Sequence, residues 1–299
     1  LLSGGASALM AAPMEGLTLA DKIETTRRMM TAGADIHALN TVRRHLSRVK
    51  GGRLAAACVG TTITLAISDV VGDDLHAIGS GPGVPDDSTW SDAAAALERF
   101  GGDAHAETVK AVMRRGMAGE LADTPKTGHP ALARSVAKVI GSRLDAMAGA
   151  AEEARRLGYD TIVLDEPVTG EARDVAPLWL AQARDRIGQR RHVCLISSGE
   201  TTVRVNGSGR GGRNLEFALS LAGPLATWGH GAACSIGTDG IDGSSGVAGG
   251  MVDTSSLARA RAAGLPPPEH VLAANDSLAF FAPLGDTVRL GRTDTNVGD

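Results

Sequence analysis

Thr62-Ile63-Thr64-Leu65-Ala66-Ile67-Ser68 decides the fold. The run is apolar, β-branched and bounded by glycines, which reads as a strand buried in a sheet. Ligands in open α/β sheets bind outside the carboxyl ends of the strands. The residues that leave this strand, Asp69-Val70-Val71-Gly72-Asp73-Asp74, are therefore the first place to look for chemistry. Three carboxylates within six residues repel one another. A divalent cation, or a substrate hydroxyl sharing a proton, relieves that repulsion, and so does plain helix capping. Mg²⁺ keeps waters and needs only one or two carboxylates, for which Asp69 and Asp74 are the candidates. Asp73 is the candidate to accept a hydroxyl proton or hold the metal.

Upstream, Thr18 to Gly33 reads as a helix with a capping-box pair at Thr18 and Asp21, an apolar face of Leu19, Ile23 and Met30, and a stop at Gly33. Asp35 to Val49 reads as a second helix, with Ile36, Leu39, Val42, Leu46 and Val49 as its stripe. Its other face carries Asn40, Arg43 and Ser47, with Lys50 just beyond. No acid occurs from Ile36 to Lys50. A donor-only face suits a carboxylate or phosphate, although a solvated basic face has the same pattern. Before these helices, Ser3-Gly4-Gly5-Ala6-Ser7 follows apolar Leu1-Leu2. Small residues after a strand let backbone N–H groups approach an anion, or simply make a turn. Ser80-Gly81-Pro82-Gly83 offers a second turn of that kind.

Downstream, 93–100, 107–113, 131–157 and 170–188 read as helices, and 161–164 as a strand. Strands are expected at 192–197, 201–205 and 232–236, and helices at 213–221, 257–263 and 277–281. The alternation predicts an α/β fold with a largely parallel sheet. A second unit is expected from about 190, giving domains 1–190 and 191–299. Gly207-Ser208-Gly209-Arg210-Gly211-Gly212 matches G-x-G-x-x-G between a strand and a helix. A dinucleotide site also needs an acid about 20 residues on, and no Asp or Glu occurs from Phe217 to Thr238. What survives is an anion site presenting Arg213 and Asn214. Thr238-Asp239-Gly240-Ile241-Asp242-Gly243 is a further acid-rich glycine loop, and Asn275-Asp276 and Thr293-Asp294-Thr295-Asn296 are polar clusters.

The 299 residues carry 30 Lys+Arg against 34 Asp+Glu and are 3% aromatic, which speaks against nucleic acid as a partner. No run reaches the roughly 18 apolar residues of a membrane span. With 39 Gly and 12 Pro clustered between apolar segments, the chain reads as tight loops in a globular protein. Cys58, Cys194 and Cys234 are far apart and suit a reducing, cytoplasmic compartment. His37 and His45 have no metal spacing, and no G-x-S-x-G elbow or Walker pattern occurs. The opening Leu1-Leu2-Ser3 looks like a strand end, so the chain is expected to be a fragment that starts upstream.

SGGASAL (3–9), LNTVRRHLSRVKGGRLA (39–55), SDVVGDDLHAIGSGPGVPD (68–86), GETTVRVNGSGRGGRNLEFAL (199–219), GTDGIDG (237–243) and TDTNVGD (293–299) together resemble the MOFRL-type glycerate 2-kinase family, some of whose members carry an older hydroxypyruvate reductase label. Six blocks in the family's order make the resemblance specific. It implies a Rossmann-like parallel-sheet α/β domain followed by a smaller MOFRL-type α/β domain, with the site in the cleft between them. It implies transfer of the ATP γ-phosphoryl group to D-glycerate with Mg²⁺, in a soluble protein for which an oligomer is also compatible. The residues expected to act are Asp73, Asp69, Lys50, Arg43 and Arg213. Those expected to bind substrate or nucleotide are Ser3, Gly4, Gly5, Ser7, Asn40, Ser80, Gly81, Glu200, Asn214, Asp239, Asp242, Thr295 and Asn296. The resemblance also implies an N-terminal segment with a lysine important for catalysis, which is expected to lie upstream of Leu1. Gly83, Ser198, Ser244 and Gly298 stand where the family has Thr, Gly, Pro and Asn. The competing readings are an NAD(P)H-linked hydroxypyruvate reductase and an inactive anion-binding fragment.

Overall fold

In a computed structural model describing residues 1–299, Thr62–Ile67 forms the first strand, β1. It pairs with β2 (Ser135–Gly141), and Leu2 adds a parallel bridge at Ala66. The chain divides into two compact units, Leu1–Ile140 and Gly141–Asp299. In the first, α1 (Ala6–Leu9), α2 (Leu19–Thr31), α3 (Ile36–His45) and α4 (Arg53–Ala56) precede β1, and α5 (Trp90–Arg99) and α6 (Glu107–Met117) follow it. Thr18 caps α2 as expected: its backbone N–H donates to Asp21, whose own N–H donates to the Thr18 hydroxyl at 3.1 Å. The core of this unit is helical, with Met29, Leu39, Val42 and Leu46 packed against Trp90, Leu97, Val109 and Met113.

Three expectations fail along this stretch. The supposed apolar face of α2 points outward, with Ile23 and Met30 each 59% exposed, while Lys22, Thr25 and Met29 face inward. Met29 alone supplies the apolar anchor, so the inward stripe hid behind a charged residue. The single helix over 131–157 is instead β2 followed by α7 (Arg143–Arg156). Exposure alternates along Ser135–Gly141 with period two, the strand signature, and the Ser142 N–H donates to Asp145 to start α7. The helix α3 also stops at His45 instead of Val49. The turn that follows returns the chain to an earlier loop, where Arg48 N–H donates to the Ala12 carbonyl.

In the second unit, β3 (Asp160–Glu171), α8 (Ala172–Ile187) and β4 (Val193–Thr202) form a parallel strand–helix–strand unit in register from Asp160 opposite Val193. A bulge separates Leu164 from Val168. One continuous β4 replaces the two strands expected over 192–205. The boundary expected near 190 falls between α8 and β4, inside this unit. Next come α9 (Arg213–Leu225), β5 (Ala232–Ile236), β6 (Gly249–Asp253), α10 (Ser256–Ala262), α11 (Pro268–Ala273), α12 (Ser277–Leu284) and β7 (Thr287–Val288). The order β5-β6-β7 is antiparallel throughout, so the last sheet differs in direction from the parallel pair β3–β4. No helix lies between β5 and β6, so the chain has no crossover with which to make them parallel. The helix α9 is buried almost all round, and Leu215, Leu219 and Leu221 pack with Leu180, Val252, Phe280 and Phe281. The α/β class stands. No helix is long and apolar enough to cross a membrane.

Candidate active site

The first unit gathers several of its sequence blocks around one cavity of about 150 Å³. Its wall is the Ser3–Ser7 turn, Asn40 and Arg43 of α3, Asp69 and Val70 at the end of β1, and Ala77 to Gly79. The turn works because Gly5 takes φ +79° and starts α1 there. The Lys50 ammonium donates to the Ser7 carbonyl at 2.6 Å and the Ser7 hydroxyl at 2.7 Å. The expected meeting of Arg43, Lys50 and the Ser3–Ser7 loop is therefore present. Behind them lies Lys22 of α2, 9% exposed, with no hydrogen-bond partner for its ammonium. Burial, then the neighbouring Arg43, pushes Lys22 down to about 8. Burial, then Lys22 and Arg43, does the same to Lys50. Asp69 is the one acid on the wall that Arg43 shares. Lys22 was missed in the sequence because Leu19, Ile23 and Met30 offered the more obvious face. The spacing Lys22, Thr25, Met29 carried the true inward stripe.

Other expected residues sit differently. Ser80 and Gly81 are buried and do not line the cavity. The Ser80 hydroxyl donates to Asn40 at 3.2 Å and lies 3.1 Å from the Ser7 hydroxyl. The Ser80 and Gly81 carbonyls accept from Gly51 and Gly52. This turn positions the cavity wall and has no face left for a phosphate. Gly83 is tight against Thr64, whose hydroxyl oxygen would lie 2.1 Å from an added Cβ. Asp69 lines the cavity, whereas Asp73 and Asp74 do not. Asp73 holds a left-handed backbone at φ +54° with its N–H on the Val70 carbonyl. Asp74 accepts the His76 N–H at 2.8 Å. No group of three or more His, Cys, Asp or Glu forms a metal cage.

In the second unit, Glu200, Arg213, Asn214 and Asp242 converge as expected, but on one another. Both oxygens of Asp242, 2% exposed, accept the Asn214 and Leu215 N–H groups at 3.0 and 2.8 Å. Asp242 is thus the cap of α9, not a ligand-facing acid, and burial raises its pKa against those hydrogen bonds. Arg213 makes a two-pronged pair with Asp299, one contact at 3.1 Å, and reaches Glu200 at 3.3 Å. Asn214 donates to Asp299 at 3.0 Å and accepts from Ser235 at 2.6 Å. One guanidinium among three carboxylates is already neutralised. Arg213 would have to leave Asp299 before it could meet a phosphoryl group.

The glycine loop is also spent internally. Gly207 and Arg210 donate their N–H groups to Asn275 and Asp276, Gly209 to the Ala274 carbonyl, and Gly211 to Ser244. An added Cβ at Gly207, Gly209, Gly211 or Gly212 would lie 2.1–2.3 Å from Ala274, Asp276, Ser277 or Asp242. These glycines permit close packing, and the anion-binding loop expected here is not formed. Asp239 accepts the Ile241 N–H at 3.0 Å. Thr295 and Asn296 lie in the last segment, where Thr293 accepts the burden of docking by donating to the Thr238 carbonyl at 2.6 Å and Asn296 accepts the Gly298 N–H at 3.2 Å.

This chain is similar to known proteins over nearly its whole length. A family model described as a domain of unknown function, DUF4147, matches residues 1–114, and the MOFRL family model matches residues 193–299. A glycerate 2-kinase of Pyrococcus horikoshii is 38% identical over 99% of this chain and 68% of its own length. A protein of Agrobacterium vitis that carries a hydroxypyruvate reductase name is 40% identical over 100% of this chain and 68% of its own. The crystal structure of a glycerate kinase from Thermotoga maritima superimposes with a TM-score of 0.87 at 36% identity, covering 99% of this chain and 70% of that one. With likeness that runs through both units, the chain belongs to the MOFRL-type glycerate kinase family.

Proposed function

We propose that this protein transfers the γ-phosphoryl group of ATP to D-glycerate, giving 2-phosphoglycerate, in the cytoplasm. The observation that carries the reading is the 38% identity to a glycerate 2-kinase over nearly the whole chain. The geometry supports it. Phosphoryl transfer asks for positioning and charge neutralisation and little covalent chemistry. The cavity of about 150 Å³ suits a three-carbon acid and is well below the size of a nucleotide pocket. Arg43 faces the acid from the wall, while the Ser3–Ser7 turn and Asn40 shape it. Asp73, in the loop leaving β1 but outside the cavity wall, accepts the hydroxyl proton only if the reacting hydroxyl projects out of the cavity toward it. Mg²⁺ fits at Asp69, since an ion carried by nucleotide phosphates needs only one or two protein carboxylates. Asp74, whose Oδ1 accepts the His76 N–H, lies outside the cavity wall that Asp69 lines. When bound, Mg²⁺ would neutralise charge on the phosphates.

The reductase reading has a relative's label behind it but no site, because the N–H groups of the glycine loop are consumed by Asn275, Asp276 and Ala274. A coupled assay separates the two. ADP release that requires both D-glycerate and Mg²⁺ is the expected result. NADH oxidation with hydroxypyruvate, without ATP turnover, overturns it. Asp73→Asn should lower kcat by about 10²–10⁴-fold with the fold intact.

A further inference from the structure

Two buried lysines beside a half-buried arginine, with Asp69 the one acid on the cavity wall, are costly to a fold. A buried charge is normally paired, and an ammonium without a hydrogen bond is rarer still. Lys22 is nine-tenths buried and its Nζ has no partner. Lys50 is 3% exposed and reaches only the oxygens of Ser7. Arg43 forms part of the cavity wall. Ser7 is a wall residue too, so the Lys50 charge sits directly behind the cavity surface. A hydrophobic residue at position 22 would pack in the helical core at no electrostatic cost. Asp69 supplies one negative charge on the wall against three positive ones, and the remaining counter-charge belongs to something the cavity receives.

We propose that Lys22 is a positioning residue that, together with Lys50 and Arg43, forms a cationic backing behind the Ser3–Ser7 cavity and selects a small carboxylate as its occupant. This rests on the kinase reading for the identity of the carboxylate, D-glycerate, and not for the existence of the subsite. Lys22 does not line the cavity. It acts through Arg43, whose charge it neighbours, and through the potential that all three impose on the pocket. The same chemistry makes the protein reject an uncharged polyol of equal size.

Calorimetric titration of Lys22→Met tests this with three probes: D-glycerate, glycerol and inorganic phosphate. The variant should bind D-glycerate about tenfold more weakly, the loss of one nearby charge in a partly desolvated site. Its KM for ATP should not change, and its Tm should rise, because an unpaired charge has left the interior. Lys22→Arg should restore glycerate affinity. Glycerol should bind neither protein. Unchanged glycerate affinity in Lys22→Met overturns the proposal, as does loss of the fold in both Lys22→Met and Lys22→Gln. Lys22-dependent binding of phosphate without glycerate also overturns it, by making the pocket a phosphate site. If carboxylate binding depends on Lys22 but no ATP is consumed, the kinase reading fails and this one stands.

Discussion

At the scale of the residue, the two lysines make substrate binding a function of pH. Both sit near 8, below a free lysine at 10.5, because burial opposes their charge and Arg43 repels it. At pH 7 they are charged; as pH rises through 8 they lose their protons. The KM for D-glycerate should therefore climb from pH 8 upward, with the KM for ATP flat over the same range. A carboxylate in the pocket favours the charged forms, so binding near pH 8.5 should take up protons. Titrating in buffers of different ionisation enthalpy measures that uptake, and heats independent of buffer would contradict it. The sign for stability is opposite. The charged lysines destabilise the fold below pH 8, and this penalty fades between pH 8 and 10.5. Much of this was legible in the sequence. The acid-free stretch from Ile36 to Lys50 announced Arg43 and Lys50. Lys22 was not legible, because a lysine flanked by Leu19 and Ile23 looks like the wet side of a helix.

At the scale of the element, α9 shows how residues that resemble a site in sequence instead anchor a helix. Asp242 takes two N–H groups at its first turn, and Arg213 holds Asp299 and Glu200 there. Asp242→Ala should cost about 1–2 kcal/mol, since it removes a buried cap. Arg213→Ala should cost about 1–3 kcal/mol by leaving Asp299 without its donor. Urea unfolding of both variants measures this, and midpoints equal to the parent's would leave α9 without its supposed anchor. The sequence marked 213–221 as a helix and the glycine run as its entry, so the element was readable. The partners were not: Asn275, Asp276 and Asp299 lie far along the chain, and no local pattern ties them to residue 207 or 213. The strand β2 shows a different limit. Ser135–Gly141 has strand alternation, but it directly precedes a helix rich in alanine whose pattern absorbed it.

At the scale of the whole molecule, each unit buries its own hydrophobic cluster, one around Trp90 and Met29, the other around Leu215 and Phe281. Unfolding should then depart from a single two-state step. The calorimetric enthalpy should exceed the van't Hoff enthalpy in a thermal scan. D-glycerate should shift the transition of the first unit alone, and a single coincident transition with and without ligand would contradict this. The α/β class and the existence of two units could be read from alternating strands and helices. The sequence suggests about 190, where the MOFRL match also begins, whereas the compact units part after Ile140 because β4 completes its sheet with β3.

The glycine loop at 207–212 bears on how variation in this protein should be interpreted. Four of its positions have another atom where a methyl group would go. A survey of all single substitutions would find 207, 209, 211 and 212 as intolerant as any residue that touches substrate. That intolerance would report crowding against Ala274–Ser277 and Asp242, and would say nothing about nucleotide. Tolerance maps of this chain separate function from packing only when they score ligand affinity and folded yield apart. Lys22 is where the two scores should diverge most, gaining yield as it loses affinity.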